Sequence, residues 1–189
     1  AIVSSLNQII RFRTAGNKLM STIAIISQIT PFVFLVLAFI FDFSTLKLVT
    51  EYGGADLPVL YRISAVWGGR AGPLLLFAAL LAIVTWFMSE KDTLDYDVRI
   101  MHGFIFIILL ISWFLDPFAD SKGVTPSELN PLLQTDLMVI HPPVVFLYYA
   151  LCIATAASVM GGIINQKPSK EIHQSQLHWA RAAFFAGTI

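Results

Sequence analysis

The sequence predicts an all-α fold, a polytopic bundle of transmembrane helices, and three observations lead to this prediction. Of the 189 residues, 57% are hydrophobic and only 13% are charged, far from the composition of a soluble globular domain. Four apolar runs are long enough to cross a bilayer at about 1.5 Å per residue. Lysine and arginine are concentrated in alternate loops. The formal net charge is zero, which gives no indication of nucleic acid as a partner.

Four complete spans are predicted, with a fifth beginning close to the end of the chain. They cover about residues 19–41, 74–88, 98–115 and 142–164, and the fifth begins near 178. The predicted outer loops are residues 42–73 and 116–141. Pro31 should kink the first span, because proline removes a helical hydrogen bond. We interpret residues 1–189 as a single membrane domain. The start without methionine and the apolar end indicate a piece of a longer protein.

Two segments outside these spans have helical character. Residues 1–18 mix apolar and basic side chains, which fits either an interfacial helix or the tail of a further span. Apolar residues from Leu57 to Trp67 follow helical spacing and predict a short helix on the membrane surface. Trp67 is then expected at the level of the lipid headgroups, and Gly68 and Gly69 should end the helix.

His141 is the main candidate site residue, because it stands before two prolines at the start of the fourth span. A residue before proline avoids the helical conformation, so His141 should cap a helix that begins at Pro142. The positive end of that helix favours a neutral imidazole, which can bind a metal ion, and favours an anion nearby. Haem offers both an iron and carboxylates. The alternative is that His141 only hydrogen-bonds a loop carbonyl.

The other histidines and the single cysteine are weaker candidates. His102 lies near the start of the third span, where it can be solvated at the interface, and we interpret it as structural. His173 and His178 are five residues apart, which is poor spacing for one helical face. Residues 165–176 are interpreted as a polar loop. Cys152 has no partner in the sequence and is assigned to helix packing.

Orientation is predicted from the basic residues, since cytoplasmic loops hold the excess. Eight lie on one predicted side: Arg11, Arg13, Lys18, Lys91, Arg99, Lys167, Lys170 and Arg181. Four lie on the other: Lys47, Arg62, Arg70 and Lys122. The N-terminal segment is therefore expected in the cytoplasm, and His141 is expected on the outer side.

A series of short motifs occupies the two predicted outer loops and the first residues of the spans that follow them. They are Leu57-Pro58-Val59-Leu60-Tyr61-Arg62, Trp67-Gly68-Gly69, Gly72, Leu74-Leu75-Leu76, Asp116-Pro117-Phe118, Leu129-Asn130-Pro131-Leu132-Leu133-Gln134 and Ile140-His141-Pro142-Pro143. Any one of these is weak evidence, but from about Asp42 to the end their order and spacing resemble the cytochrome c maturation haem lyases of the CcmF type. The resemblance covers some three quarters of the chain.

The resemblance implies a protein that takes haem from a membrane-tethered haem chaperone and joins its vinyl groups to the thiols of a Cys-x-x-Cys-His motif in apocytochrome c. It implies haem b as substrate and possible cofactor, with His141 as the first of two outer histidines that hold the iron. The other expected cofactor-binding residues are Arg70, Trp67, Gly68, Gly69, Asn130, Pro142 and Pro143. The expected partners are lipid, the chaperone, apocytochrome c, other maturation subunits and the remainder of the lyase.

The sequence also departs from the family pattern. The second outer histidine, the tryptophan-rich segment and the histidines of a separate membrane haem are not in these 189 residues. Where the family usually has Trp-Gly-Gly-His-Glu-Gly-Ser, this chain has Arg70-Ala71-Gly72-Pro73 after Trp67-Gly68-Gly69. The chain alone is therefore expected to be inactive. Arg70 fits a haem propionate partner or a side chain that snorkels to the interface equally well, whereas snorkelling is the preferred interpretation of Arg62.

Two other functions remain open at this stage. A transporter or channel subunit would use Pro31 and the small residues between Ala154 and Gly162 for kinked, closely packed helices. A non-catalytic assembly subunit would recruit the cytochrome or the chaperone without binding iron. The expected location is the bacterial inner membrane, with the mitochondrial inner membrane as the alternative.

Overall fold

The computed structural model describes residues 1–10, 18–89, 95–127 and 129–189, apart from the side chains of Lys18 and Leu132. The α-helices in these residues are α1 (Ile2–Ile10), α2 (Lys18–Ile40), α3 (Lys47–Tyr52), α4 (Val59–Ala65), α5 (Ala71–Met88), α6 (Tyr96–Phe114), α7 (Asp136–Ile164) and α8 (Ser169–Gly187). A 3-10 turn covers Pro131–Leu133. Arg11, Arg13, Lys91 and Glu128 lie outside the described residues.

Four of the described helices are long and apolar enough to cross a membrane: Leu19–Ile40, Ala71–Met88, Tyr96–Phe114 and Asp136–Ile164. This confirms the predicted bundle. Helix α5 is the central element, because its residues are apolar all round and it packs against α2, α6 and α7. Ala78, Leu81 and Ala82 are completely buried in it. The helix starts at Ala71, three residues before the predicted start of the second span at Leu74.

The two ends of the bundle are held by different contacts. At one end, Lys167 Nζ lies 3.4 Å from Asp95 Oδ2, which joins the end of α7 to the start of α6. At the opposite end, Lys47 N donates to Ala119 O at 2.8 Å, which joins the two predicted outer loops. The helices therefore cross in alternate directions as predicted. Which of these ends faces the cytoplasm stays a prediction.

Helix α8 differs from the prediction for residues 165–176, which were expected to form a polar loop. The loop is short, because Gln166 adopts a positive φ of 53° that reverses the chain, and Pro168 is the N-cap residue of a helix that begins at Ser169. The helix then packs back along α7. The amphipathic character of Ser169–Gly187 overrides the local polarity on which the loop prediction was based.

Helix α1 lies along α2 in the antiparallel direction. Gln8 Nε2 approaches Met20 O at 3.5 Å, and Ser27 Oγ donates to Ser4 Oγ at 2.7 Å, so the Ile10 end of α1 is close to the beginning of α2. Ser5 and Gln8 are buried by this packing. The arrangement favours a helix packed into the bundle over a helix that lies flat on the membrane surface.

His102 is not solvated at an interface as the sequence suggested. Its side chain is fully buried in the bundle, and its Nδ1 lies 3.0 Å from Gln28 Nε2. Gln28 Nε2 also donates to Ser5 Oγ at 2.9 Å, so one amide connects α1, α2 and α6. An imidazole can be buried among apolar helices because this amide satisfies one ring nitrogen. We interpret the contact as a structural one.

Helices α6 and α7 approach each other closely at Gly161. A Cβ built on Gly161 would lie 2.7 Å from Asp97 Cα, a distance that side chains essentially never show. The neighbouring atoms are mostly backbone atoms, which cannot move aside as the end of a flexible side chain can. The contact of α6 with α7 therefore requires a residue without a side chain at this position.

The close approach can be tested with two glycine substitutions. Gly161→Ala should lower the free energy of unfolding by about 1–3 kcal/mol, because the added methyl group overlaps the α6 backbone. Gly103→Ala is the matched control, since nothing lies within 4 Å of a Cβ there and the helix should gain about 0.5–1 kcal/mol. Denaturant unfolding in detergent micelles measures both. Equal stability of the two variants would contradict the predicted contact.

Candidate functional site

Helix α7 begins six residues before the position predicted from the double proline, at Asp136 rather than Pro142. Thr135 is the N-cap, with an extended backbone and a side chain that accepts from Met138 N at 3.3 Å. Asp136 in the first turn complements the helix dipole. The prediction that His141 caps the helix is therefore wrong, and His141 lies inside it. The Thr135-Asp136 pair was the sequence signal that could have located the start.

Pro142 and Pro143 lie inside α7, where each removes one hydrogen bond of the helix. In an α-helix the N–H of residue 142 would donate to the carbonyl of Met138, and that of residue 143 to the carbonyl of Val139. The Met138 carbonyl has another donor instead: Trp67 Nε1 donates to it at 2.6 Å. A side chain from a different part of the chain thus replaces the bond that Pro142 cannot make.

Trp67 is buried, with 8% of its surface exposed. Its expected place at the level of the lipid headgroups stays a prediction. The expected surface helix exists as Val59–Ala65 and ends before Gly68 and Gly69. A Cβ on Gly68 would lie 3.2 Å from Leu129 Cδ1, and a Cβ on Gly69 would lie 3.1 Å from Leu48 Cδ2. These glycines allow α3 and the second outer loop to pack closely around Trp67. Their roles in haem binding stay predictions.

The second outer loop packs against the first one. Ser127 Oγ donates to Glu51 O at 2.6 Å, and Gln134 Nε2 donates to Leu129 O at 3.0 Å, with Leu129 fully buried. Asn130 is exposed beside Leu129, and its carbonyl accepts from Leu133 N at 2.8 Å in the 3-10 turn. The two loops together form one platform from which α7 begins.

His141 itself is exposed, in contrast to the half-buried Met138 side of the same helix turn. Leu137 and Ile140 are 72% and 58% exposed, and both lie within about one turn of His141. Large apolar side chains this exposed at the end of a span form a surface for lipid or for a flat apolar ligand. The structure therefore presents an accessible imidazole at the edge of an apolar face.

The two arginines of the first outer loop have different environments. Arg62 does not snorkel: its guanidinium donates to Leu57 O at 2.8 Å, to Ile40 O at 3.1 Å and to Ala55 O. Ile40 is the last residue of α2, so the cation also complements that end of the helix. Arg70 is exposed at the N-cap position of α5, and none of its described contacts is a side-chain hydrogen bond or an ion pair.

The structure brings together only some of the predicted site residues. Trp67 and Gly68 lie against the start of α7 and the second loop, and Pro142 creates the acceptor that Trp67 uses. Arg70 is exposed and accessible to a ligand. Within the described residues, no three His, Cys, Asp or Glu side chains are placed to hold a metal ion. The imidazole of His141 would therefore be a single protein ligand in this part of the chain.

These features define a multi-pass helical membrane protein that displays a histidine at one end of its bundle. Residues 67–187 match the family model described as cytochrome C assembly protein. The chain belongs to this family, which agrees with the resemblance found in the outer-loop motifs. The matched region begins at Trp67 and includes the whole of α7.

The chain is similar to several curated cytochrome c-type biogenesis proteins. It is 28% identical over 188 residues to CcmF of Escherichia coli, covering 93% of this chain and 29% of that protein. It is 33% identical over 161 residues to CcmF of Haemophilus influenzae, covering 78% and 24% respectively. NrfE of the same organism is 26% identical over 170 residues, covering 82% and 26%. The chain thus spans less than a third of the length of these relatives. No solved structure matches it.

The hydrogen bonds of Arg62 predict that replacing it destabilises the protein far more than replacing Arg70. Arg62→Met should lower the free energy of unfolding by about 2–4 kcal/mol, because three backbone carbonyls lose a charged donor. Arg70→Met, the matched control on an exposed site, should stay within about 0.5 kcal/mol of the wild type. Denaturant unfolding in micelles measures both changes. An Arg62→Met variant as stable as the control would rule out this role.

Proposed function

We propose that this chain is part of a cytochrome c maturation haem lyase and holds haem at the outer membrane face for thioether attachment to apocytochrome c. The observation that carries the proposal is the exposure of His141 beside Leu137 and Ile140. An accessible imidazole with an apolar face next to it suits a ligand that combines an iron with a flat apolar ring. Membership of the cytochrome c assembly family supports the same ligand.

The residues of this chain fit haem as one half of a site. His141 would supply one axial ligand, and Leu137 and Ile140 would contact the apolar edge of the macrocycle. Arg70, exposed and without a described side-chain partner, would pair with a propionate as a charge-assisted donor. When bound, haem supplies the vinyl carbons to which the cytochrome thiols are joined. A second axial ligand would come from outside these residues.

The contribution of the chain to the reaction would be placement of the reactants. The described site contains an imidazole, an arginine and apolar side chains, but it offers no nucleophile with an adjacent base, and we expect no catalytic acid or base from it. Holding two reactants in position can itself supply a large part of a rate enhancement. The partners would be the haem chaperone, apocytochrome c, other maturation subunits and the remainder of the lyase.

The location follows from the same family and from the charge pattern. We propose a bacterial inner membrane, with α7 beginning on the outer side, where apocytochrome c receives its haem. The relatives that support this choice are bacterial proteins named for cytochrome c-type biogenesis. A transporter is less well supported, because two of the few polar side chains in the spans are used inside the bundle: Gln28 contacts His102, and Thr85 donates to Leu81 O.

The proposal is tested by titrating the purified chain in lipid nanodiscs with haem. The wild type should give the Soret spectrum of histidine-ligated haem, and His141→Ala should weaken binding at least about tenfold, because loss of a metal ligand costs at least as much as loss of its supporting residues. His173→Ala is the matched control, since His173 is also exposed but lies on α8.

Two results would refute the haem site. The first is an unchanged spectrum and affinity in His141→Ala. The second is an equal loss in His141→Ala and His173→Ala, which would show unspecific binding to exposed histidines. The non-catalytic assembly subunit would be favoured if a His141→Ala variant that does not bind haem still captured apocytochrome c or the haem chaperone.

A further inference from the structure

The first turn of α7 is weakly connected to the rest of its helix. Residues 136–141 carry His141, and the two prolines that follow remove the helical bonds to Met138 and Val139. The helix continues across the two prolines only through the hydrogen bonds that residues 144 and 145 donate to the carbonyls of Ile140 and His141. Residues 136–141 would therefore be free to tilt or fray unless another contact held them.

Trp67 makes that contact. Its indole donates to Met138 O at 2.6 Å across 71 residues of sequence, and the ring is almost fully buried. Met138 and His141 are three residues apart, so they differ by about 60° around the helix axis and by about 4.5 Å along it. A restraint on the Met138 carbonyl consequently restrains both the height of the His141 Cα along the helix and the direction of its Cα–Cβ bond.

Trp67 is itself held rigidly. Gly68 lies directly against Leu129 and the Tyr52 ring, since a Cβ at this position would lie 3.2 Å from either side chain, so the backbone has little room to shift. Arg62, five residues earlier, donates to carbonyls at the end of α2 and in the first loop. The backbone beside Trp67 is thereby tied to the bundle, and the ring itself belongs to the buried core.

We propose that Trp67 is a positioning residue for His141: its indole takes the place of the Pro142 N–H at the Met138 carbonyl and sets the position on the bundle from which the imidazole extends. The sequence alone suggested direct contact of Trp67 with haem, whereas this role acts through the helix. The purpose of the restraint rests on the proposed haem site. The restraint itself is a property of the chain without any ligand.

The test is a double-mutant cycle between Trp67 and Pro142. Trp67→Phe removes the donor and keeps an aromatic ring, whereas Pro142→Ala restores the N–H that the helix lacks. Hydrogen exchange of residues 136–141 should become about tenfold faster in Trp67→Phe. In the Pro142→Ala background the same change should be less than about twofold, because the helix then satisfies Met138 itself. Exchange of α5 and α6 should not change.

A second readout reports on His141 directly. In protein labelled with ¹³C-histidine, the His141 ring signal, assigned by its loss in His141→Ala, should shift or broaden in Trp67→Phe. It should return in Trp67→Phe/Pro142→Ala, while the His173 signal stays in place. Trp113→Phe is the matched control, since Trp113 is 68% exposed. If Trp67→Phe does not accumulate as folded protein, the double variant Trp67→Phe/Pro142→Ala decides. Folded double variant supports the proposal, and its absence overturns it.

Additive effects of Trp67→Phe and Pro142→Ala on exchange, or unchanged exchange in Trp67→Phe, overturn the proposal. Because exchange and histidine spectra need no haem, they decide this inference independently. If the cycle shows coupling between Trp67 and Pro142, the restraint is established. If haem affinity is at the same time unchanged in His141→Ala, the haem site is refuted.

Discussion

The structure depends on one hydrogen bond that joins distant parts of the chain, from the Trp67 indole to the Met138 carbonyl. In a membrane environment an unsatisfied carbonyl is expensive, and proline inside a helix is tolerated where a neighbouring group satisfies the carbonyl that it frees. Pro142 leaves the Met138 carbonyl without its helical donor, and the Trp67 indole supplies another one. The bond also ties the first outer loop to the start of α7, where the only exposed histidine at this end of the described bundle lies.

The bundle below this bond is held by close packing and by the buried polar contacts of Gln28. Gly161 lets α7 lie directly on the α6 backbone, and more than half of the residues of α5 are buried. Without a hydrophobic driving force between helices in lipid, close packing and internal hydrogen bonds are what hold such helices together. Gln28 contacts both Ser5 and His102 and so connects three helices. A rigid bundle of this kind gives the outer loops a fixed base.

The amino-acid pattern was sufficient for the spans but not for the start of α7. Apolar runs of about 20 residues identify spans because bilayer thickness fixes their length, and the first three spans lie within a few residues of prediction. The double proline was misleading, because local preference places it in a first turn, whereas the Thr135 cap and the Trp67 bond keep it inside the helix. Likewise, nothing local to Arg62 indicates that its guanidinium reaches Ile40 O. Such contacts depend on tertiary packing, which a single sequence does not display.

The function that we propose is one of presentation: a histidine would be held at one end of the bundle for a ligand and partners that lie outside this chain. The most direct test of the central claim is a dipolar dephasing measurement between ¹⁵Nε1 of Trp67 and the ¹³C carbonyl of Met138 in lipid-embedded protein. Strong dephasing, lost in Trp67→Phe, is the result that the account predicts. The account would be contradicted if the dephasing did not exceed the natural-abundance background while the helix remained continuous through Pro142.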